Sequence, residues 1–159
     1  MKAPVLAFAV CAAVAIGGCG GGSSDASERP TTTGPSGIER TEPTIQVPDG
    51  APPKTLVVKD LIRGEGPPIE STDELTVEYV GAFYNGQEFT NSWERSKPFE
   101  FRLNDPNAFI ETSWRQGLLG MRLGGRRELL VPPANRGGPA GSVSSGGLVY
   151  IVDLIAVNP

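Results

Sequence analysis

Few residue types in this chain could do chemistry, and what is missing narrows the choice first. Histidine does not occur in the 159 residues, which removes Ser-His-Asp and Cys-His triads and the His-containing zinc sites together. Carboxylates are plentiful, yet no two stand at a spacing that marks an acid–base pair. The cysteines are Cys11 and Cys19, and Cys11 lies inside an apolar run. Two kinds of reactive or recognising groups remain: Cys19, and aromatic side chains spread along the chain from Tyr79 to Tyr150. Taken singly, each of those aromatics reads as ordinary core. Any chemistry here is expected to need no metal, no cofactor and no proton-shuttling side chain.

Cys19 sits in a telling place. Lys2 is followed by an apolar stretch from Ala3 to Ile16, too short to span a bilayer comfortably but suited to the apolar region of a signal peptide. It ends in Ile16-Gly17-Gly18-Cys19, which resembles the lipobox of bacterial lipoproteins, where the thiol is acylated and the chain is cut just before it. The alternative is an ordinary signal peptide cut after an Ala or Gly. On the lipobox reading, 1–18 is a lipoprotein signal peptide, Cys19 is the lipidation site, and Cys19 alone is left, so no intrachain disulfide forms. Residues 19–53 are Gly, Ser, Thr and Pro with scattered charge and no helical or strand period, and are expected to be a disordered tether. Its r.m.s. span of roughly 30 Å would lift a small domain clear of the surface. Localisation is then extracytoplasmic, lipid-anchored to the outer face of the cell membrane. A net charge of −4 leaves no basic field for nucleic acid, even with the arginines between Arg122 and Arg127.

The elements that must position the aromatics begin after that tether, in one domain at 54–159. A β-branched and apolar run, Thr55-Leu56-Val57-Val58-Lys59-Asp60-Leu61, stops in the turn-rich Gly64-Glu65-Gly66-Pro67-Pro68. Leu75, Val77, Tyr79, Gly81 and Phe83 share one face of the next run and Thr76 and Glu78 the other, the period of a half-buried strand with Tyr79 inward. Asn85-Gly86 suits a tight hairpin turn because both positions tolerate positive φ. Phe99, Phe101 and Leu103 alternate with Glu100 and Arg102 in another strand. A short helix is expected at 113–120, with Ser113 and Gln116 at capping-box spacing and Gly120 ending it in a left-handed turn. Trp114, Leu118 and Met121 form its buried stripe. Arg127 to Val131 and the run from Leu148 to Val157 supply two further strands, the last apolar on both faces as a central strand is. The fold class is α+β: a curved antiparallel sheet of five or six strands wrapped around one short helix.

The ordered set Val77-x-Tyr79-x-Gly81, Gly86-x-x-Phe89, Pro98-Phe99-x-Phe101-x-Leu103, Trp114-x-x-Gly117-Leu118-x-Gly120-Met121, Gly124-x-Arg126-Arg127, Val131-Pro132-Pro133 and Leu148-Val149-Tyr150 resembles the FKBP family of peptidyl-prolyl cis/trans isomerases. The resemblance implies an apolar cup between helix and sheet. Trp114 would be its floor and Tyr79, Phe89, Phe99 and Tyr150 its walls; Ile110 would offer its backbone N–H to the substrate, and Arg95 would stand at the edge. Thr90 occupies the place of a family aspartate that pairs with that arginine. Gly137 stands where the family has a ligand-binding tyrosine, and Val143 would supply an apolar rim.

An X-Pro bond resists rotation by roughly 18 to 20 kcal/mol because twisting destroys amide resonance. A cup that strips water from the amide and fits the twisted form better than either planar isomer lowers that barrier without a nucleophile or an acid. The partners implied are proline-containing polypeptides of exported proteins and macrolide inhibitors, with the membrane reached through the lipid; the chain is expected to be a monomer. An apolar residue before the proline should be preferred, since the cup holds little that could pair a charge. Thr90 and Gly137 favour the alternative of a proline-peptide-binding or holdase module with little turnover.

Overall fold

The computed structural model describes residues 31–33, 39–108, 110–133 and 146–159. The signal segment 1–18, Cys19, Gly137 and Val143 lie outside them. A short ribbon of β1 (Thr31–Thr33) and β2 (Glu39–Thr41) comes first. It is followed by β3 (Val57–Ile62), β4 (Glu65–Pro68), β5 (Glu74–Phe83), β6 (Glu88–Asn91), β7 (Phe99–Arg102), α1 (Thr112–Gly117), β8 (Arg122–Leu123), β9 (Arg126–Val131) and β10 (Leu148–Asn158). The main sheet has six strands in the order β3-β9-β10-β5-β6, with β7 pairing the far part of β5. Every pairing in it is antiparallel, so the expected architecture holds.

Local chemistry explains most of these elements. The β5–β6 hairpin turns at Asn85-Gly86, where Gly86 has φ 89°, its N–H donates to the Phe83 carbonyl at 2.9 Å, and the Asn85 side chain accepts from the Gln87 N–H at 3.0 Å. β10 lies between β9 and β5 and is buried from Leu148 to Ala156, as its two apolar faces require. Gly120 adopts φ 73° in the turn that follows α1.

The helix itself departs from expectation. It begins at Thr112, and Glu111 stands at its N-cap with no side-chain cap bond; the Ser113 hydroxyl donates to the Glu111 carboxylate at 3.1 Å instead. The capping box does not form because Ser113 is already inside the helix and its oxygen has turned back toward Glu111. At the other end Arg127 closes the helix: its guanidinium donates to the Gly117 carbonyl at 2.8 Å and the Leu119 carbonyl at 3.1 Å, and pairs with Asp60 at 2.6 Å. Gly117 lets the helix settle on β9, since a Cβ there would lie 2.6 Å from the Leu129 side chain. Trp114, Leu118 and Met121 are all buried, at roughly 1.5–3 kcal/mol for each large apolar side chain removed from water.

β5 and β10 bury both faces. Leu75 and Val77 join Tyr150, Val152 and Leu154 in the core under the helix. The opposite face carries Glu78, Val80 and Ala82 against Asp153, Ile151 and Val149, and all of these are buried as well. Thr76 and Glu78 were expected to face solvent; Glu78 is fully buried and its carboxylate accepts from the Ser92 hydroxyl. Alternation separates the faces of a strand, but it does not say what lies over the second one.

Part of the expected tether lies over it. Residues 40–53 form a strap across this face rather than continuing as linker. The Arg40 guanidinium donates to the Gly124 carbonyl and stands 4.0 Å from the Asp153 carboxylate. The Thr41 carbonyl accepts from Arg126 at 2.7 Å, the Glu42 carboxylate accepts from the Asn91 amide at 2.6 Å, and Pro43 is buried. Pro52 packs against Gly147, where a Cβ would approach it to 2.7 Å. Composition alone read this stretch as unable to order itself; the sheet provides the partners it lacks, and its prolines leave little backbone entropy to lose. Arg126 holds Asp153 through two bonds of 2.7 Å. Burial nonetheless pushes the Asp153 carboxyl above its ordinary value, with Arg126 and Arg40 pulling the other way.

Candidate active site

Where the helix meets the open end of the sheet there is a cavity of about 420 Å³ lined by Tyr79, Phe89, Thr90, Phe99, Ile110, Glu111, Trp114 and Tyr150. Trp114 comes from α1, Tyr79 from β5, Phe89 and Thr90 from β6, Phe99 from β7 and Tyr150 from β10. Five elements distant in sequence therefore converge on one apolar depression.

Ring geometry fixes its shape. The Trp114 indole meets the Tyr79 ring at 5.1 Å and 87° and the Tyr150 ring at 5.4 Å and 90°, and Phe99 approaches it at 6.3 Å and 69°. These are edge-to-face contacts, each worth about 0.5–1.5 kcal/mol beyond area burial. Phe89 stands edge-on to Tyr150 at 5.8 Å and rests on Phe83 at 4.6 Å. It is 41% exposed, so it is the outer lip, whereas Trp114 at 4% exposure is the floor.

Gly81 makes this packing possible. It pairs with Tyr150 on one side and Thr90 on the other, and a Cβ there would lie 2.6 Å from the Tyr150 ring and 2.7 Å from the Thr90 methyl. Without a side chain at 81 the Tyr150 ring lies flat across β5 and carries its hydroxyl to the Glu111 carboxylate, to which it donates at 2.8 Å. Burial, and then the neighbouring Glu111 charge and hydrogen bond, hold that phenol well above its ordinary value. Tyr150 is a hydrogen-bond donor at any physiological pH, never a base.

The rim beside Tyr79 and Thr90 is cationic. Arg95 donates to the Tyr79 hydroxyl at 2.8 Å and to the Thr90 hydroxyl at 3.4 Å, and its guanidinium lies 5.6 Å from the Tyr79 ring centre. A carboxylate at position 90 would have drawn it; here the phenol takes that place. The turn carrying Arg95 is held by Asn91, whose side-chain oxygen accepts from the N–H groups of Trp93 at 2.9 Å and Glu94 at 3.3 Å.

The structure thus brings together Tyr79, Phe89, Thr90, Phe99, Ile110, Trp114 and Tyr150, with Arg95 at the edge. Two corrections follow. The Ile110 N–H donates to the Ala108 carbonyl at 2.8 Å rather than pointing free into the cavity, because the loop before α1 is drawn tight by Arg115, which donates to the carbonyls of Leu103, Asp105 and Ala108. And the cavity is not purely apolar, since Glu111 was missed: nothing in a lone glutamate beside a helix start marks it in sequence, and only the Tyr150 hydroxyl reveals its aim. Among the described residues no group of three Cys, Asp or Glu could hold a metal ion.

A family model for FKBP-type peptidyl-prolyl cis-trans isomerase matches residues 66–155. The chain is 41% identical over 119 residues to the Probable FK506-binding protein of Corynebacterium glutamicum, covering 72% of this chain and 98% of that protein. It is 38% identical over 122 residues to an FK506-binding protein of Streptomyces anulatus, covering 73% and 97%. The crystal structure of FkpA from Escherichia coli superposes with a TM-score of 0.56 at 33% identity, over 65% of this chain and 48% of that one.

Proposed function

This chain belongs to the FKBP-type peptidyl-prolyl cis-trans isomerase family, and from that premise we propose that the Trp114 cup is where it rotates X-Pro bonds, on exported polypeptides, at the outer face of a membrane. The observation that carries the assignment of the site is the convergence of Tyr79, Phe89, Phe99 and Tyr150 on the Trp114 indole around one open cavity.

The proline ring enters edge-first onto the indole, and the aromatic walls displace water from the amide carbonyl. Water hydrogen-bonded to that carbonyl stabilises the planar amide, so its loss favours the twisted form. The walls pack edge to face on Trp114, and a cup complementary to the twisted state rather than to either planar one lowers the barrier. The Tyr79 hydroxyl is held by Arg95 and the Tyr150 hydroxyl by Glu111, so no proton moves. Ile110 contributes apolar surface; a substrate carbonyl that used its N–H would first have to displace Ala108. Macrolides that present an apolar ring to the same floor are the expected inhibitors, in line with the FK506-binding names of the relatives.

Ile16-Gly17-Gly18-Cys19 supports cleavage after residue 18, lipidation of Cys19 and an extracytoplasmic station for a monomeric enzyme. Among the described residues no helix is long and apolar enough to cross a membrane. Fatty-acid labelling of the chain in cells, lost in Cys19→Ala, tests the lipidation; an unlabelled wild-type chain sinks it. For the site, the rate of X-Pro isomerisation in a short Leu-Pro peptide should drop at least tenfold in Phe99→Ala with the fold retained by circular dichroism. A wild-type chain that is folded, inactive on such peptides and still suppresses aggregation of an unfolded client would replace turnover by holdase binding.

A further inference from the structure

The Glu111 carboxylate lies in the cup wall, and what surrounds it bears on which prolines the enzyme selects. One oxygen accepts from the Tyr150 hydroxyl at 2.8 Å and the other from the Ser113 hydroxyl at 3.1 Å. Both donors are neutral. None of the ion pairs among the described residues involves Glu111. Arg95, the cation at the edge of the cup, donates to Tyr79 and Thr90. A carboxylate offers about four lone-pair directions, so about two remain, and Glu111 is a half-buried residue of the cavity lining.

We propose that Glu111 is a specificity-determining residue that selects X-Pro bonds flanked by a lysine or arginine, its free lone pairs taking the ammonium or guanidinium of the residue beside the proline. This rests on the cup being the isomerase site. An aromatic cup alone would rank an apolar neighbour first and treat cations and anions alike as misfits. A fixed negative charge in the wall breaks that symmetry: it attracts a cation, and it repels an anion that would also have to leave water. Because the wall is part apolar, the charge is less screened than one on an open surface, and because both its existing partners are neutral hydroxyls, no competing cation has to be displaced. Lys and Arg can lay their methylene stems along Tyr150 and Phe89 while the head group reaches Glu111.

The test measures kcat/KM of the full chain in detergent on a peptide series with Leu, Lys or Glu immediately before proline, and on a second series with the same residues immediately after it. The expected result is a Lys-over-Glu ratio of roughly two- to fivefold in one of the two series, the upper range of a partly exposed ion pair, shrinking with added salt. In Glu111→Gln, which removes the charge but keeps an oxygen acceptor for Tyr150, the ratio should fall toward the small bias left by the overall charge; Glu111→Asp should restore part of it. A wild-type chain that turns over Leu-Pro but shows no Lys-over-Glu preference in either series overturns the proposal alone, as does a ratio that Glu111→Gln leaves in place. A folded chain inactive on every peptide overturns the site assignment, and this proposal with it.

Discussion

β5 and β10 present two buried faces made of different materials. Under the helix the strands contribute Leu75, Val77, Val152 and Leu154, and polar groups enter only at the open end, where Tyr79 and Tyr150 turn their hydroxyls to the rim. On the opposite face the same strands place Glu78 and Asp153 side by side in the ladder, fully buried and held by Ser92 and Arg126. The apolar face is left uncovered at one end, and that opening is the site. The opposite face, where these two carboxylates sit among Val80, Ala82, Val149 and Ile151, meets chain that precedes the domain. Apolar contact suffices where many side chains pack by shape, whereas a strap with few apolar residues must be located by directional bonds involving Arg40, Glu42 and Arg126.

The contrast can be tested by removing one member from each side. Trp114→Ala takes the floor out of the apolar face and should destabilise the domain by roughly 3 to 5 kcal/mol, as large aromatic truncations in cores do, with Trp114→Leu milder. An unchanged denaturation midpoint would mean that the rings around it do not depend on this one.

Arg126→Met removes the two-bond partner of Asp153 and leaves it only Arg40 at 4.0 Å; it should cost about 3 kcal/mol at neutral pH, the lower end of what breaking a buried pair costs. The sign of its pH dependence follows from burial. Asp153 already has its folded value raised, and losing Arg126 raises it further. Between the unfolded and folded values the native state holds the proton that the unfolded state has released, so stability falls as pH rises through that window. The deficit of Arg126→Met against wild type should therefore narrow as pH drops from 7 toward 5. A deficit that widens on acidification would show Asp153 to be charged and solvated rather than buried.

Cutting the strap is the next smaller step. A chain beginning at Lys54 loses the bonds from Arg40, Thr41 and Glu42, at about 1 kcal/mol each net, partly offset by the backbone freedom that the strap no longer gives up. Its unfolding free energy should fall by roughly 2 kcal/mol relative to a chain beginning at Gly20, read from denaturation curves; equal stabilities would make 40–53 a passive tether after all. Smallest is Thr90→Asp, which gives Arg95 a carboxylate for a charge-assisted bond at the exposed rim. Isomerase activity should rise by less than about fivefold, since a rim pair of this kind is worth at most ~1 kcal/mol. A fall would show that the Arg95–Tyr79 bond matters more than the pair that replaces it.

The strands, the Asn85-Gly86 hairpin, the helix stripe and the ring set of the cup were legible in the chain because each rests on local rules: alternation, positive φ at a turn, three- and four-residue spacing, and a family pattern in fixed order. Less legible were features whose meaning depends on a distant partner. Trp93 is almost completely buried, but carries no period that announces it. Gly81 belonged to the pattern, but the reason for it is the Tyr150 ring lying 2.6 Å from where its Cβ would be.

By itself, then, the sequence determined that this chain has no acid–base or metal chemistry built on histidine, that its domain is an antiparallel sheet around one short helix, and that its aromatics belong to a prolyl isomerase pattern. Tertiary structure alone decided that Glu78 is inside, that 40–53 joins the domain, that Arg95 goes to a phenol rather than a carboxylate, and that Glu111 faces the cup. Periodicity and turn chemistry act over a few residues and are written along the chain. What a polar side chain does is set by which groups folding brings within about 3 Å of it, and for Glu111 and Tyr150 those groups stand 39 residues apart.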